Sequence, residues 1–121
     1  MAGRYDYIID QGRTWRRWIE LYQDRAETVP VPLTDFTAKL EIARVVTIDG
    51  VETTEEVLSL TTENGGITIT GGAGKIEWIA EDADTADLEG EYFYELFIVN
   101  TLGESTSIMK GLIQVSPASA D

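Results

Sequence analysis

The sequence predicts an all-β protein: a single immunoglobulin-like β-sandwich domain of about eight mostly antiparallel strands over residues 1–121. Three observations predict it. Apolar residues recur mainly at every second position, the period of half-buried strands. Turn signals follow one another at intervals of roughly 8 to 12 residues, and a long helix is hard to place anywhere. We expect short terminal arms at 1–4 and 116–121.

The strands of the first half follow in chain order from this alternation. YDYII and TWRRWIELY are the first two, and TAKLEIARV is the clearest, because Ala38, Leu40 and Ile42 alternate with Lys, Glu and Ala. EVLSLTT then places Leu58 and Leu60 on one face, which predicts a further strand.

The second half of the chain contains a hairpin, two long strands and one helical turn. ITIT and KIEWIA flank the glycine-rich TGGAGK, so residues 67–80 are predicted to form the hairpin. EYFYELFIV is apolar on both faces in its middle, which is typical of a central strand covered on both sides. STSIMKGLIQV resumes the alternation until Pro117 ends it. EDADTADLEG can form a helical turn, capped by Asp82 or Asp84 and stopped by Gly90.

A short signature precedes the most apolar strand. In DLEGEYFYEL, Asp87, Gly90 and Tyr92 resemble the tyrosine corner of immunoglobulin-like domains, in which the tyrosine hydroxyl bonds to the backbone a few residues upstream. Tyr94 stands where such domains carry a cysteine. The alternative is an aromatic-rich strand that simply follows a turn.

The composition excludes most common enzyme chemistries. The chain has no cysteine and no histidine, which removes thiol nucleophiles, histidine-dependent triads and almost every zinc site. A net charge of -13 disfavours nucleic acid and anionic lipid as partners. No stretch approaches 18 apolar residues, and the first residues lack the apolar run of a secretory signal. We therefore expect a soluble, non-enzymatic protein made in the cytoplasm, with no cofactor, no metal and no membrane contact.

Two stretches that could suggest ligand sites depart from the required patterns. GGAGK lacks both the glycine five positions before Gly74 and the Ser or Thr after Lys75 that a phosphate-binding loop needs, which favours a hairpin turn. In EDADTADLEGE, counted from Asp82, a calcium loop requires glycine where Asp87 stands and glutamate where Phe93 stands. A solvated acidic turn is favoured there, with weak adventitious calcium binding as the alternative.

The stretch RTWRRWIELY concentrates tryptophan and arginine in an acidic chain. Alternation divides it into a core face, Trp15, Arg17, Ile19 and Leu21, and a face of mixed aromatic and charged residues, Arg16, Trp18, Glu20 and Tyr22. The second composition is enriched at protein interfaces, so we predict that these four residues bind a partner. The alternative is that Trp18 packs under the loop ETVPVPLTD with Arg16 stacked on its ring.

The order of strands and turns carries a family resemblance. It lies in YDYIIDQGRTW, PLTDFTAKLEIAR, GGITITGGAGKIEWIA, LEGEYFYELFIV and KGLIQVSP, and it covers residues 5–117. These stretches resemble short β-sandwich structural proteins of tailed bacteriophages, although glycine is usual where Asp35 stands and the loop QDRAETVPVPLT is longer than in that family. The resemblance implies no catalytic residues. It implies a virion protein, made in the host cytoplasm, that docks onto capsid or tail subunits as a cement protein or an adaptor. A homo-oligomer with further copies of the chain is a second kind of partner that we consider.

A second function class stays open at this point. The chain could be a carbohydrate-binding module for host-surface glycans, with Trp15, Trp18, Tyr22 and Trp78 as sugar-stacking platforms. The two classes differ in where the aromatic residues lie. Sugar sites need them in an exposed groove beside carboxylates, whereas docking sites need them in a flat patch with arginine.

Overall fold

The strands and the helix are seen in a computed structural model that describes residues 3–23, 26 and 28–117. Its elements are β1 (Gly3–Arg4), β2 (Tyr7–Asp10), β3 (Trp15–Glu20), β4 (Thr37–Ile48), β5 (Val51–Thr61), β6 (Ile67–Thr70), β7 (Lys75–Ala80), α1 (Asp82–Ala86), β8 (Gly90–Val99) and β9 (Ser105–Ser116). The described part of the chain thus has nine strands where the sequence predicts about eight. The predicted terminal arms are partly wrong, because residues 3–4 form β1 and β9 extends to Ser116; residues 1–2 and 118–121 lie outside the described residues.

The strands form two sheets, which confirms the predicted all-β sandwich. The larger sheet has the order β1-β9-β8-β4-β5, with β2 also paired to β9, and the smaller has the order β3-β7-β6. β1 and β2 run parallel to β9, whereas every other pairing in the two sheets is antiparallel. The mostly antiparallel arrangement is therefore confirmed as well.

The core lies between the sheets and follows the alternation that the sequence shows. In β7, Ile76, Trp78 and Ala80 are buried while the residues between them are half-buried. Leu40 and Ile42 of β4, in the larger sheet, are fully buried and belong to the same core cluster. Strand period and burial therefore agree along these strands.

Strand β8 is central in the larger sheet, as predicted, but it is not covered on both sides. Its inward residues are buried, whereas Phe93 on the other face is 36% exposed. The physical reason is that the smaller sheet covers one face of the larger sheet only. The apolar outward residues of this strand are therefore not explained by packing between the two sheets.

The tyrosine corner is present. The backbone N–H of Glu89 donates a hydrogen bond of 2.9 Å to the hydroxyl of the buried Tyr92. Tyr94, at the predicted cysteine position, is also buried, and its hydroxyl donates to the carbonyl of Tyr5. Gly111 allows this approach, because a Cβ there would lie 2.1 Å from the Tyr5 carbonyl oxygen. These contacts hold the first strands against the edge of the larger sheet.

The hairpin turn is confirmed as predicted, whereas the helical turn is confirmed with a different cap. Residues 67–80 form the predicted hairpin, closed by a 3-10 turn at Gly71–Ala73. The helical turn is also present, but its cap was wrongly predicted. Glu81 is the N-cap, because Asp84 accepts the backbone N–H of Glu81 in a capping box. The helix ends at Ala86, before the glycine that was expected to stop it.

Strands β4 and β5 continue beyond the larger sheet as a two-stranded arm, residues 44–55. β4 pairs with β8 only up to Ala43, and beyond that point β4 and β5 pair with each other alone. Asp49 and Gly50 close the arm, both at positive φ, as tight hairpins require. The alternation along the sequence does not predict this extension.

Candidate protein-interaction face

The outer face of the smaller sheet contains most of the residues predicted to bind a partner. We call it the Trp18 face and define it by Arg16, Trp18 and Glu20 of β3, Lys75 and Glu77 of β7, and Thr68 and Thr70 of β6. The strand register places these residues in rows. Trp18, Glu77 and Thr68 form one row, and Glu20, Lys75 and Thr70 form the next.

Trp18 lies on β3, an edge strand of this face, with 55% of its surface exposed. The ammonium of Lys75 lies 5.3 Å from its ring centroid, in a cation–π contact. The alternative in which a loop covers Trp18 and Arg16 stacks on it is therefore wrong for the described residues. Arg16 instead pairs with Glu77, at 3.8 Å between nitrogen and oxygen.

The Trp18 face is electrically neutral. Arg16 and Lys75 balance Glu20 and Glu77, although the chain as a whole has a net charge of -13. The negative excess therefore lies elsewhere on the molecule. A partner that approaches the Trp18 face meets less repulsion than it would on an average part of the surface.

Tyr22 lies at the margin of the face and not within it. It follows the end of β3, is half-buried, and forms an isolated bridge with Pro30. Its hydroxyl donates to a carboxylate oxygen of Glu20 at 2.5 Å. The structure thus brings Arg16, Trp18 and Glu20 together as predicted, while Tyr22 orients Glu20 from the side.

The other two tryptophans belong to the core. Trp15 is 4% exposed and Trp78 is fully buried, with their ring centroids 5.9 Å apart. Tyr7 packs edge-on against both rings. The suggestion that Trp15 and Trp78 are sugar-stacking platforms is therefore wrong, because the larger sheet covers them.

Sequence reasoning missed the residues that β6 and β7 add to the face. The alternation in KIEWIA does direct Lys75 and Glu77 outward. Nothing local, however, shows that β7 lies beside β3, since the paired residues Trp15 and Ala80 are far apart in the sequence. A pairing of that range leaves no trace in a single sequence.

The acidic segment around α1 is engaged in local hydrogen bonds. Thr14 donates to a carboxylate oxygen of Asp82, and Asp84 accepts a hydrogen bond from the backbone N–H of Glu81 in the capping box. Within the described residues, no group of three or more Asp or Glu side chains is arranged to hold a metal ion. In the same part of the chain, no helix has the length and apolar character needed to cross a membrane.

No protein-family model matches the chain, and the search of curated proteins finds no match either.

Proposed function

We propose that this chain is a non-enzymatic structural protein of a tailed-phage virion, and that it docks onto capsid or tail subunits through the Trp18 face. The observation that carries the proposal is the position of Trp18, which is more than half exposed on the outer face of the smaller sheet. The resemblance of the sequence to short phage structural proteins supplies the class of partner. A role as cement protein or as adaptor fits this face equally well.

The free energy of burial favours a partner for Trp18. Covering a large apolar side chain contributes about 1.5 to 3 kcal/mol relative to leaving it in water. Tryptophan and arginine are also the residue types that contribute most often to binding energy at protein interfaces. Trp18 beside Arg16, with Lys75 against its ring, matches that composition.

The paired charges of the face favour specificity. Arg16 and Glu77 already form an ion pair, and Tyr22 orients Glu20, so these side chains are partly ordered before a partner binds. Pre-ordered side chains lower the entropic cost of association. The neutral face would also orient an otherwise strongly negative domain as it approaches its partner.

The glycan-binding alternative has less support. Only Trp18 and Tyr22 remain of its four candidate platforms, since the other two are core residues. Trp18 lies on a sheet face beside Lys75 and Arg16, and not in a groove lined by carboxylates. Because docking sites need aromatic residues in a flat patch with arginine, this placement supports docking.

The test is the double variant Trp18→Ala with Arg16→Ala, produced in the course of particle assembly. We expect unchanged melting of the purified protein and at least a tenfold loss of copies per purified particle, measured by quantitative mass spectrometry. Leu102→Ala is the matched control, because Leu102 is 81% exposed in the turn between β8 and β9, away from the Trp18 face. This variant should be incorporated normally.

Normal incorporation of the double variant would overturn the docking role. Absence of the wild-type protein from purified particles, together with retardation on immobilised glycans that the double variant loses, would instead establish the carbohydrate-binding function. Loss of the cooperative melting transition in the double variant would show that Trp18 is needed for folding. It would contradict the position of Trp18 on the outer face.

A further inference from the structure

The outer face of the larger sheet, opposite the Trp18 face, has a groove of about 390 Å³. The strand register places two rows of residues across it. Glu41, Glu95, Lys110 and Arg4 form one row across β4, β8, β9 and β1, and Ala43, Phe93 and Leu112 form the neighbouring row. All of these residues line the groove.

The charged row has an unusual order: two carboxylates on one half and two cations on the other. At its centre, neither Glu95 nor Lys110 forms an ion pair with another described residue. The outer members do have such partners. A carboxylate oxygen of Glu41 lies 3.0 Å from the ammonium nitrogen of Lys39. A guanidinium nitrogen of Arg4 lies 3.7 Å from a carboxylate oxygen of Asp6.

The neighbouring row is apolar and incompletely covered. Phe93 is 36% exposed and Leu112 is half-buried, although they are paired across β8 and β9 in the interior of the sheet. Val45, at the base of the arm, adds an apolar residue that is 56% exposed. An apolar row beside a charged row is the composition of an interface with an apolar centre and a polar rim.

We propose that a second copy of this chain packs on this face. The two copies are related by a two-fold axis that lies between β8 and β9 and runs parallel to these strands. The reason is the order of the charges. Rotation about such an axis places the acidic half of each row over the basic half of the other, so that Glu95 of one copy faces Lys110 of the second copy. The same rotation brings Phe93 onto Leu112 of the second copy.

This arrangement satisfies the general rules for symmetric sheet packing. An isologous interface must be self-complementary, and a row of two negative and two positive charges is self-complementary under this rotation only. A two-fold axis along the row itself would place like charges on each other. An axis along the strands also keeps the two sheets aligned, which is the common mode of sheet-on-sheet packing.

A second copy is the occupant that the charges favour. A uniformly acidic partner would be repelled by Glu41 and Glu95, and a uniformly basic one by Lys110 and Arg4. The Trp18 face lies on the other side of the sandwich and stays available in the dimer. The dimer therefore goes beyond the proposed docking function and does not depend on it.

The test is sedimentation velocity on the purified chain at concentrations from about 1 to about 500 µM in physiological salt, with a dissociation constant in the micromolar range expected. Lys110→Glu should weaken the dimer at least about tenfold, because it places like charges opposite each other. Lys75→Glu is the matched control. It makes the same change in net charge on the Trp18 face and should leave the dimer intact.

The decisive variant exchanges the two central charges, Glu95→Lys with Lys110→Glu. It restores opposite charges across the axis, so the affinity should return to within about threefold of the wild type. A wild-type chain that stays monomeric throughout the concentration range would overturn the proposal. Equal weakening of the dimer by Lys110→Glu and Lys75→Glu would also overturn it. So would a charge-exchange variant that has the melting temperature of the wild type and fails to restore the dimer.

Particle incorporation provides a separate measurement. If Trp18→Ala with Arg16→Ala lowers incorporation while sedimentation is unchanged, the two faces act independently, as proposed. If the same double variant abolishes the dimer, the dimer forms through the Trp18 face and the assignment to the larger sheet is wrong.

Discussion

Trp15 and Trp18 belong to one strand, three residues apart, and occupy opposite environments. Trp15 is 4% exposed and lies among the rings of Trp78 and Tyr7, whereas Trp18 is 55% exposed and contacts the ammonium of Lys75. Their residue type and strand are the same. The difference arises because the larger sheet covers one face of the smaller sheet, and alternation assigns the two rings to different faces.

This contrast teaches that the number of aromatic residues in a strand says little about their role. The inner ring stabilises the fold through close contacts with other rings, while the outer ring has a cation as neighbour and is free to contact a partner. Substitutions on the two faces should therefore separate stability from binding.

The largest expected effect is on the inner face. Trp78→Ala should lower the free energy of unfolding by about 3 to 5 kcal/mol, since it removes a fully buried ring and leaves a cavity. Trp18→Ala should change it by less than about 1 kcal/mol. Urea melts of both variants measure the difference, and a similar loss in the two would show that the faces do not differ as described.

A smaller effect should come from a single hydroxyl at the edge of the core. Tyr92→Phe should cost about 1 to 2 kcal/mol, because the backbone N–H of Glu89 loses the hydroxyl of a buried tyrosine as its acceptor. Tyr5→Phe is the control, since Tyr5 is 58% exposed. A loss in urea melts that is no greater than that of the control would argue against the tyrosine corner as a stabilising contact.

The smallest effect concerns alkaline pH and the inner-face tyrosines. Burial raises the pKa of both Tyr7 and Tyr94 above the ordinary value of 10.0. The folded chain then keeps protons that the unfolded chain releases, so the stability present below about pH 10 declines as the pH rises further. Tyr94, whose pKa is raised more than that of Tyr7, should contribute the larger part of this decline between about pH 9 and about pH 10.5.

Tyr94→Phe removes one of these two groups and should make the alkaline decline shallower. Trp18→Ala, on the outer face, should leave the decline as steep as in the wild type. Urea melts at the two pH values test this expectation, and an unchanged slope in Tyr94→Phe would contradict it.

Local pattern was sufficient for much of the fold. The alternation in TAKLEIARV and KIEWIA predicted β4 and β7, and the glycines of TGGAGK predicted the hairpin between β6 and β7. The assignment of Trp18 to the side opposite Ile19 also followed from period two alone. These features depend on residues that are close in the sequence, which is why a single chain reveals them.

The rest depends on contacts between distant segments. The pairing of β3 with β7 decides that Lys75 joins the Trp18 face, and the parallel pairing with β9 adds β2 to the larger sheet. The exposure of Phe93 depends on which face the smaller sheet covers. Such pairings are decided by the packing of the whole domain, so no local pattern could have predicted them.

The parallel pairing of β2 with β9 has a mechanical consequence. The two strands stand near opposite ends of the chain and share four residue pairs, from Tyr7 with Ile113 to Asp10 with Ser116. Tension that draws those ends apart pulls the strands in opposite directions along their length, so the hydrogen bonds between them are sheared together and not peeled one after another. The force needed to open the domain then depends on how fast it unfolds under load, a property separate from its equilibrium stability. A domain joined at both ends to larger bodies would withstand pulling best along this line.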